Sequence, residues 1–356
     1  MDVRIEEVVG SLPLEDMEGI VLQIPGVDGE KSLSEAVRHF ASGKSASPEE
    51  MLASILNGFA DEIAKLGELM ISVMLPALFL GLVTQMTTVQ DRLELAGINL
   101  CHVIAMTPVV VCVIGELEHV KSTIIVTTER MDRILPILLT LLTAVGGSAS
   151  SAFLHPVVVA ASGSMVYLAR EVILRLVMCS CAVVTVNHLS DRAHLTRMAR
   201  LLKGAVCWLL GVSFTVFLGT MSIQGVVSAS VDGVTIRAAK YAVDNFVPVV
   251  GGMFSDTMDT LVGCTLIVKN ALGIAAMLVL GGAIVVPMIR TFAAAAVMKV
   301  CAALLEPVAD RNLIGAIEDM SGILVLFLIT MLCVCTMYFL LIVQILLVGN
   351  LTMMLR

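Results

Sequence analysis

Apolar residues in this chain gather in runs of about twenty, separated by short charged or Gly/Pro/Ser-rich breaks. About 20 apolar residues of α-helix match a hydrocarbon core of about 30 Å, so the pattern predicts helices that cross a bilayer. The runs fall at about residues 66–85, 97–115, 124–145, 152–168, 172–189, 202–221, 271–289 and 323–348. The shortness of the 152–168 run sets the count at seven or eight spans. The third run carries Glu129, Arg130, Asp132 and Arg133 in its first part. After it, residues 146–151 are all Gly, Ser or Ala, which suits either close helix approach or a turn. Two stretches break the pattern. Residues 222–270 mix polar and apolar positions. Residues 290–319 read as amphipathic, with Arg290, Lys299, Glu306, Asp310 and Arg311 spaced through Ala-rich sequence, as in a helix lying along the interface.

Composition agrees with lipid as solvent. The 356 residues are 58% hydrophobic and 15% charged, against about 25% charged in soluble domains, and the mean hydropathy is +0.97. Aromatics make up 4%, too few for the girdles of an outer-membrane barrel. The expected fold is an all-α polytopic transmembrane helix bundle, residues 65–356, preceded by a short acidic extramembrane segment, residues 1–64. That segment holds 13 acidic and 4 basic residues of a total net charge of −8. Ser32-Leu33-Ser34-Glu35 predicts a short helix to Phe40. Ser47-Pro48-Glu49-Glu50 predicts another running into the first span. Residues 1–50 show no basic start followed by an apolar stretch, so either a signal segment precedes Met1 or translocation of residues 1–64 depends on the first span. Residues 191–203 hold Arg192, Arg197, Arg200 and Lys203 against Asp191. The positive-inside rule places that loop in the cytoplasm. Five runs back, residues 1–64 lie on the other side.

Several chemistries are excluded. No basic patch suggests nucleic acid. There is no P-loop, no G-x-S-x-G and no H-E-x-x-H. The nine cysteines lie in or beside apolar runs, and their two C-x-C pairs point about 200° apart on a helix, so packing is the expected role. His102, His155 and His188 stand isolated in apolar sequence and are expected to pack. Asp256 and Asp259 share one helical turn, whereas a protease dyad needs carboxylates facing each other from different elements. No catalytic, metal or cofactor-binding residue is assigned, and no cofactor is expected.

The richest polar stretch runs from Asp232 to Asn270. Arg237, Lys240 and Asp244 share one helical face. Asn245 and then Val247-Pro248 follow, Gly251-Gly252 loosens the backbone, and Asp256, Asp259 and Lys269 come after. Ionisable groups near lipid face a bundle interior, a wet cavity or each other. Asp232, Arg237, Lys240, Asp244, Asn245, Asp256, Asp259 and Lys269 are therefore the candidate polar network, on a segment read as re-entrant or as a subunit contact; the other reading is a solvated extramembrane hairpin.

These residues also carry a resemblance. Residues 232–240 (DGVTIRAAK) and 245–256 (NFVPVVGGMFSD), with residues 151–157 (SAFLHPV), 217–225 (FLGTMSIQG) and the ending 349–354 (GNLTMM), resemble the stage III sporulation protein AE family over about residues 45–356. The resemblance implies a non-enzymatic multi-pass subunit of the complex between mother cell and forespore in endospore-forming bacteria. It would sit in the mother-cell-derived membrane and act with an ATPase and ring-forming subunits. The family supplies no catalytic residues to carry over. Its members often begin with a signal-like apolar segment, which residues 1–50 do not show. A self-contained secondary transporter is the alternative; such proteins often show paired halves with broken helices, and no internal repeat is visible here.

Overall fold

The computed structural model describes residues 21–22, 31–32, 67–83, 92–145, 148–189, 195–246 and 251–354. For residues 92–96, 98–99, 148–149, 153, 225–246, 251–262 and 351–354 the description is of backbone alone. A two-residue antiparallel pairing joins β1 (Val21–Leu22) to β2 (Lys31–Ser32). The helices predicted from Leu33 and from Ser47 lie outside the described residues.

Apart from short turns, the other described residues are helical. A short apolar helix, α1 (Gly67–Val83), comes first. It is followed by α2 (Arg92–Ala144) and α3 (Ser148–Tyr167). A π turn (Leu168–Ile173) joins α3 to α4 (Leu174–Leu189). Three long helices complete the chain: α5 (Thr196–Phe246), α6 (Gly251–Leu305) and α7 (Arg311–Met354).

Five stretches among the described residues are long and apolar enough to cross a membrane: Leu100–Ala144, Ser150–Leu189, Thr196–Gln224, Gly263–Leu305 and Arg311–Asn350. The eight expected runs fall on six helical rods, because neighbouring runs fuse: these five stretches and the shorter apolar helix α1. Runs 97–115 and 124–145 belong to one helix, α2, of 53 residues. Runs 152–168 and 172–189 form one rod through the π turn. The charges that divide the runs in the sequence do not divide the helices. Residues 116–123 contain neither Gly nor Pro, and Glu, Leu and Lys are good helix formers. Pro108 and Pro136 sit inside α2, as membrane helices tolerate. At about 1.5 Å per residue α2 is roughly 80 Å long, more than twice the hydrocarbon thickness. Part of it therefore lies beyond the core of the bilayer.

Residues 290–319 are divided between the end of α6, a tight turn and the start of α7. The turn is closed by Val308 and Ala309 N–H groups donating to Leu305 O at 3.0 and 2.8 Å. Pro307 follows the last turn of α6, and Asp310 precedes α7, with its carbonyl accepting from Ile314 N–H at 3.1 Å. A side chain at Gly81 of α1 would meet Val308 O at 2.6 Å, so only glycine lets α1 approach this turn.

α7 is the axis of the bundle. It touches α2, α3, α4, α5 and α6, and Leu313, Ile317, Met320, Leu324, Phe327 and Ile342 along it are buried. α6 packs against it antiparallel, with Gly273 under Leu346, whose methyl groups would collide with a Cβ there. Such small residues allow helix backbones to come close in lipid, where packing, not water, drives association. One end of the bundle holds the α4–α5 connection and the α6–α7 turn. The other holds the α2–α3 connection, where Ser151 Oγ donates to Leu139 O at 3.3 Å.

Candidate functional site

Three polar contacts tie the helices at successive depths. In the first, Glu116 of α2 is 5% exposed. Its Oε1 accepts from Arg290 Nε at 3.0 Å and its Oε2 from Thr291 Oγ1 at 2.9 Å, both on α6. A carboxylate held by a guanidinium and a hydroxyl satisfies the requirement that buried charge be paired. Arg290, expected on an interfacial segment, is the partner of a buried acid.

The second lies at the end with the α4–α5 connection. Asp319 of α7 accepts at Oδ1 from Lys203 Nζ of α5 at 2.7 Å, and its Oδ2 lies 3.1 Å from His188 Nε2 of α4. Lys203 also donates to Asp319 O at 3.2 Å. Asn187 Oδ1 accepts from Leu195 N–H at 2.8 Å and holds the two helices across the connection. A Cβ at Gly315 would stand 3.1 Å from the His188 ring. His188 is therefore not a simple packing residue, as its apolar neighbours suggested, but a hydrogen-bond partner of Asp319.

The third lies toward the opposite end. Lys269 of α6 is fully buried. Its Nζ donates to Leu346 O of α7 at 3.1 Å and sits 3.5 Å from Ile345 O. Nearby, Gln344 Nε2 donates to Met221 O of α5 at 2.8 Å. A side chain at Gly349 would collide with Lys269 Nζ, so the glycine of the family-like ending makes room for the ammonium.

The predicted polar network meets this arrangement only at Lys269. Asp232, Arg237, Lys240, Asp244 and Asn245 lie on the last part of α5, and Asp256 and Asp259 on the first part of α6. Their side chains lie outside the described residues. The backbone of 222–246 is continuous with the α5 span, and 251–270 with α6. Pro248 falls between the two helices, in residues 247–250, which lie outside the described residues.

The sequence reasoning missed Glu116, Thr291, Lys203 and Asp319. The available signal was a charge inside a continuous helix-forming stretch between apolar runs, which favours a paired interior group over a loop. Among the described residues no group of three or more His, Cys, Asp or Glu gathers as a metal site.

Long apolar helices packed about a buried axis, with charges met helix to helix, define a polytopic helical membrane protein. The chain belongs to the stage III sporulation protein AE family, whose description matches residues 31–349. It is 28% identical over 324 residues to stage III sporulation protein AE of Bacillus subtilis (strain 168), covering 90% of this chain and 81% of that relative. No solved structure matches it.

Proposed function

We propose that this chain is a non-enzymatic multi-pass subunit of the secretion or channel complex that links mother cell and forespore during sporulation, needed for late forespore development. On this reading it sits in the mother-cell-derived outer forespore membrane as scaffold and conduit wall. Its partners are an ATPase, ring-forming subunits and membrane lipid. Family membership supports the sporulation role.

One structural observation carries the subunit role. α5 passes Met221, where it meets Gln344, and stays helical to Phe246; α6 starts at Gly251, well before Lys269 meets α7. At about 1.5 Å per residue these extensions are roughly 37 and 27 Å long. They carry the family-like stretch from Asp232 to Asp259 past the contacts that close the bundle, at the end away from the basic α4–α5 connection. With that connection cytoplasmic, the extensions reach the intermembrane side, where other subunits are met. Counting α1, α2 and the α3–α4 rod as single crossings keeps residues 1–64 on that side as well, an odd number as in the five-run count.

Affinity purification from sporulating cells tests this. The expected result is recovery with other membrane and ring subunits of the complex. Recovery of the chain alone, with solute uptake in vesicles, would favour the self-contained transporter.

A further inference from the structure

The exposed face of α2 changes character along its length. Near the α6–α7 turn it shows Leu100, Ile104, Val111 and Ile114 to the outside. Beside Val126, Pro136 and Ala144, from Glu118 onward it exposes polar side chains: Glu118, Lys121, Ser122, Glu129, Asp132 and Arg133, then Thr140 and Thr143. Their spacing, i, i+3, i+4, i+11, i+14, i+15, i+22 and i+25, keeps them within one side of a 3.6-residue helix. The opposite side of the same stretch, with Ile124, Met131, Ile134, Leu138 and Leu142, is buried. The polar stripe is therefore the outward face of a packed helix. Among the described residues Glu118, Lys121, Glu129, Asp132 and Arg133 make no ion pair.

The contacts across the bundle fix the depth of this stripe. At its upper end Glu116 meets Arg290 on α6. Slightly nearer the bundle end, Ser321 of α7 donates to Ala295 O of α6, and Asp319 pairs with Lys203 of α5. At its lower end Leu142 lies beside Gly349, just past the level at which Gln344 meets Met221. Glu118 to Arg133 thus lie at the depth that α5 crosses between Lys203 and Met221. Over residues 204–224 α5 has no Asp, Glu, Lys or Arg, and it exposes Trp208 at 68% and Val216 at 60%. An uncharged, apolar face of that kind suits contact with lipid. At the same depth, unpaired charges on α2 cannot face hydrocarbon, since ionisable side chains at bilayer depth turn to a protein interior or to water.

We propose that the polar stripe of α2 lines a water-filled passage across the membrane, with the rest of its wall supplied by neighbouring subunits. From Glu118 to Thr143 the stripe is about 37 Å long at about 1.5 Å per residue, enough to cross a core of about 30 Å. Near its lower half it opens into a groove of about 280 Å³ between α2 and α3, lined by Thr128, Asp132, Pro136, His155 and Ser162 among others. The charges are of both signs, Glu118, Glu129 and Asp132 against Lys121 and Arg133, so the wall is hydrophilic without strong selection for cation or anion. This rests on the conduit reading proposed above and names the helix that forms the wall.

Substituted-cysteine labelling in the full-length chain, in native membranes of sporulating cells and in a cysteine-free background, tests it. Single cysteines replace Glu118, Lys121, Glu129 and Asp132 on the stripe, Leu138 on the buried side, and Val212 and Val216 on the lipid face of α5. A small, charged, water-soluble thiol reagent is expected to label the stripe on the order of tenfold faster or more than the other three, because the reactive thiolate is suppressed in apolar surroundings. Ser122→Cys and Thr140→Cys remove no charge and give the same readout where loss of a charge lowers the protein level. Stripe positions as silent as Val212→Cys would overturn the passage. So would silent positions that form disulfides between copies on oxidation, which would make the stripe a dry subunit seam. Labelling of the stripe in membranes of cells that make this chain but no other sporulation subunit would uphold a passage walled by further copies of this chain and sink the sporulation-complex reading, so the two can fail separately.

Discussion

The Lys269 ammonium donates to the carbonyl oxygen of Leu346 at 3.1 Å, in the space left by the missing side chain of Gly349. The carbonyl belongs to a continuous helix, so the lysine adds a second partner to a helical acceptor and joins α6 to α7 through one charged hydrogen bond. Lysine is costly to bury; here it is fully buried, with Leu142 beside Gly349.

The first prediction concerns this pair. Gly349→Ala should drive Lys269 from its carbonyls and lower the thermal midpoint of the purified protein in detergent. Adding Lys269→Ala should make room for the new methyl group and restore tolerance of the Gly349→Ala change. Residues in contact usually couple by about 0.5–3 kcal/mol in a double-mutant cycle, so the double variant should be clearly more stable than the sum of the single changes. Additive losses would show that the two residues do not meet.

A second prediction follows from Glu116. Arg290→Ala leaves a carboxylate at 5% exposure with Thr291 as its remaining hydrogen-bond donor. Arg290 is itself 41% exposed, so the cost comes from the carboxylate left buried and falls below the ~3–5 kcal/mol of a wholly buried pair. Glu116→Gln keeps an acceptor for Thr291 and removes the charge, and should cost far less. Protein level in membranes and thermal midpoint should both rank wild type, Glu116→Gln, Arg290→Ala from highest to lowest. Equal values for Arg290→Ala and wild type would show that water reaches Glu116.

How far the sequence carried can be read at these residues. Apolarity in runs of about twenty gave the membrane class, because hydropathy is a local sum and needs no partner. Span number was not legible in the same way. Glu116, Glu118 and Lys121 interrupt hydropathy without interrupting the helix, so a window that weighs polarity divides what backbone propensity keeps whole. The pairing of Glu116 with Arg290 joins positions 174 residues apart, which no local pattern contains. Lys269 was singled out because a charge beside apolar sequence needs a reason; that its reason is Leu346 and Gly349 depends on how α6 lies on α7. Asp319 was taken as the end of an amphipathic segment, because one turn of a helix cannot reveal Lys203 and His188 on two others.

The third prediction separates this last cluster from the buried ones. Asp319 is 39% exposed at its side chain, and Lys203 24%. Partly hydrated pairs are worth roughly 0–1 kcal/mol and are screened by salt. Asp319→Asn should therefore lower the thermal midpoint by much less than Arg290→Ala. Raising the salt concentration should narrow the difference from wild type. A loss as large as that of Arg290→Ala would place the triad inside a dry interior.

The fourth prediction concerns the polar stretch on the α5 and α6 extensions. A single crossing separates Arg197 from Asp244 on one continuous helix, α5. In a cysteine-free background, Arg197→Cys and Asp244→Cys should be labelled by an impermeant reagent from opposite faces of the membrane, with position 197 protected in intact protoplasts. Labelling of both from one face would mean that residues 222–246 fold back and the extension does not exist. If the extensions hold a working network, Lys240, Asp256 and Asp259 matter beyond solvated charge. A buried partner lost costs about 3–5 kcal/mol, while a solvated surface pair is worth roughly 0–1 kcal/mol. Single Lys240→Ala, Asp256→Ala and Asp259→Ala variants should then reduce spore yield, and they should do so at near-normal protein level if the network receives partners rather than holding the fold. Normal spore yield in all three would leave the stretch a solvated hairpin, and the working surface of the subunit would have to be sought elsewhere on the chain.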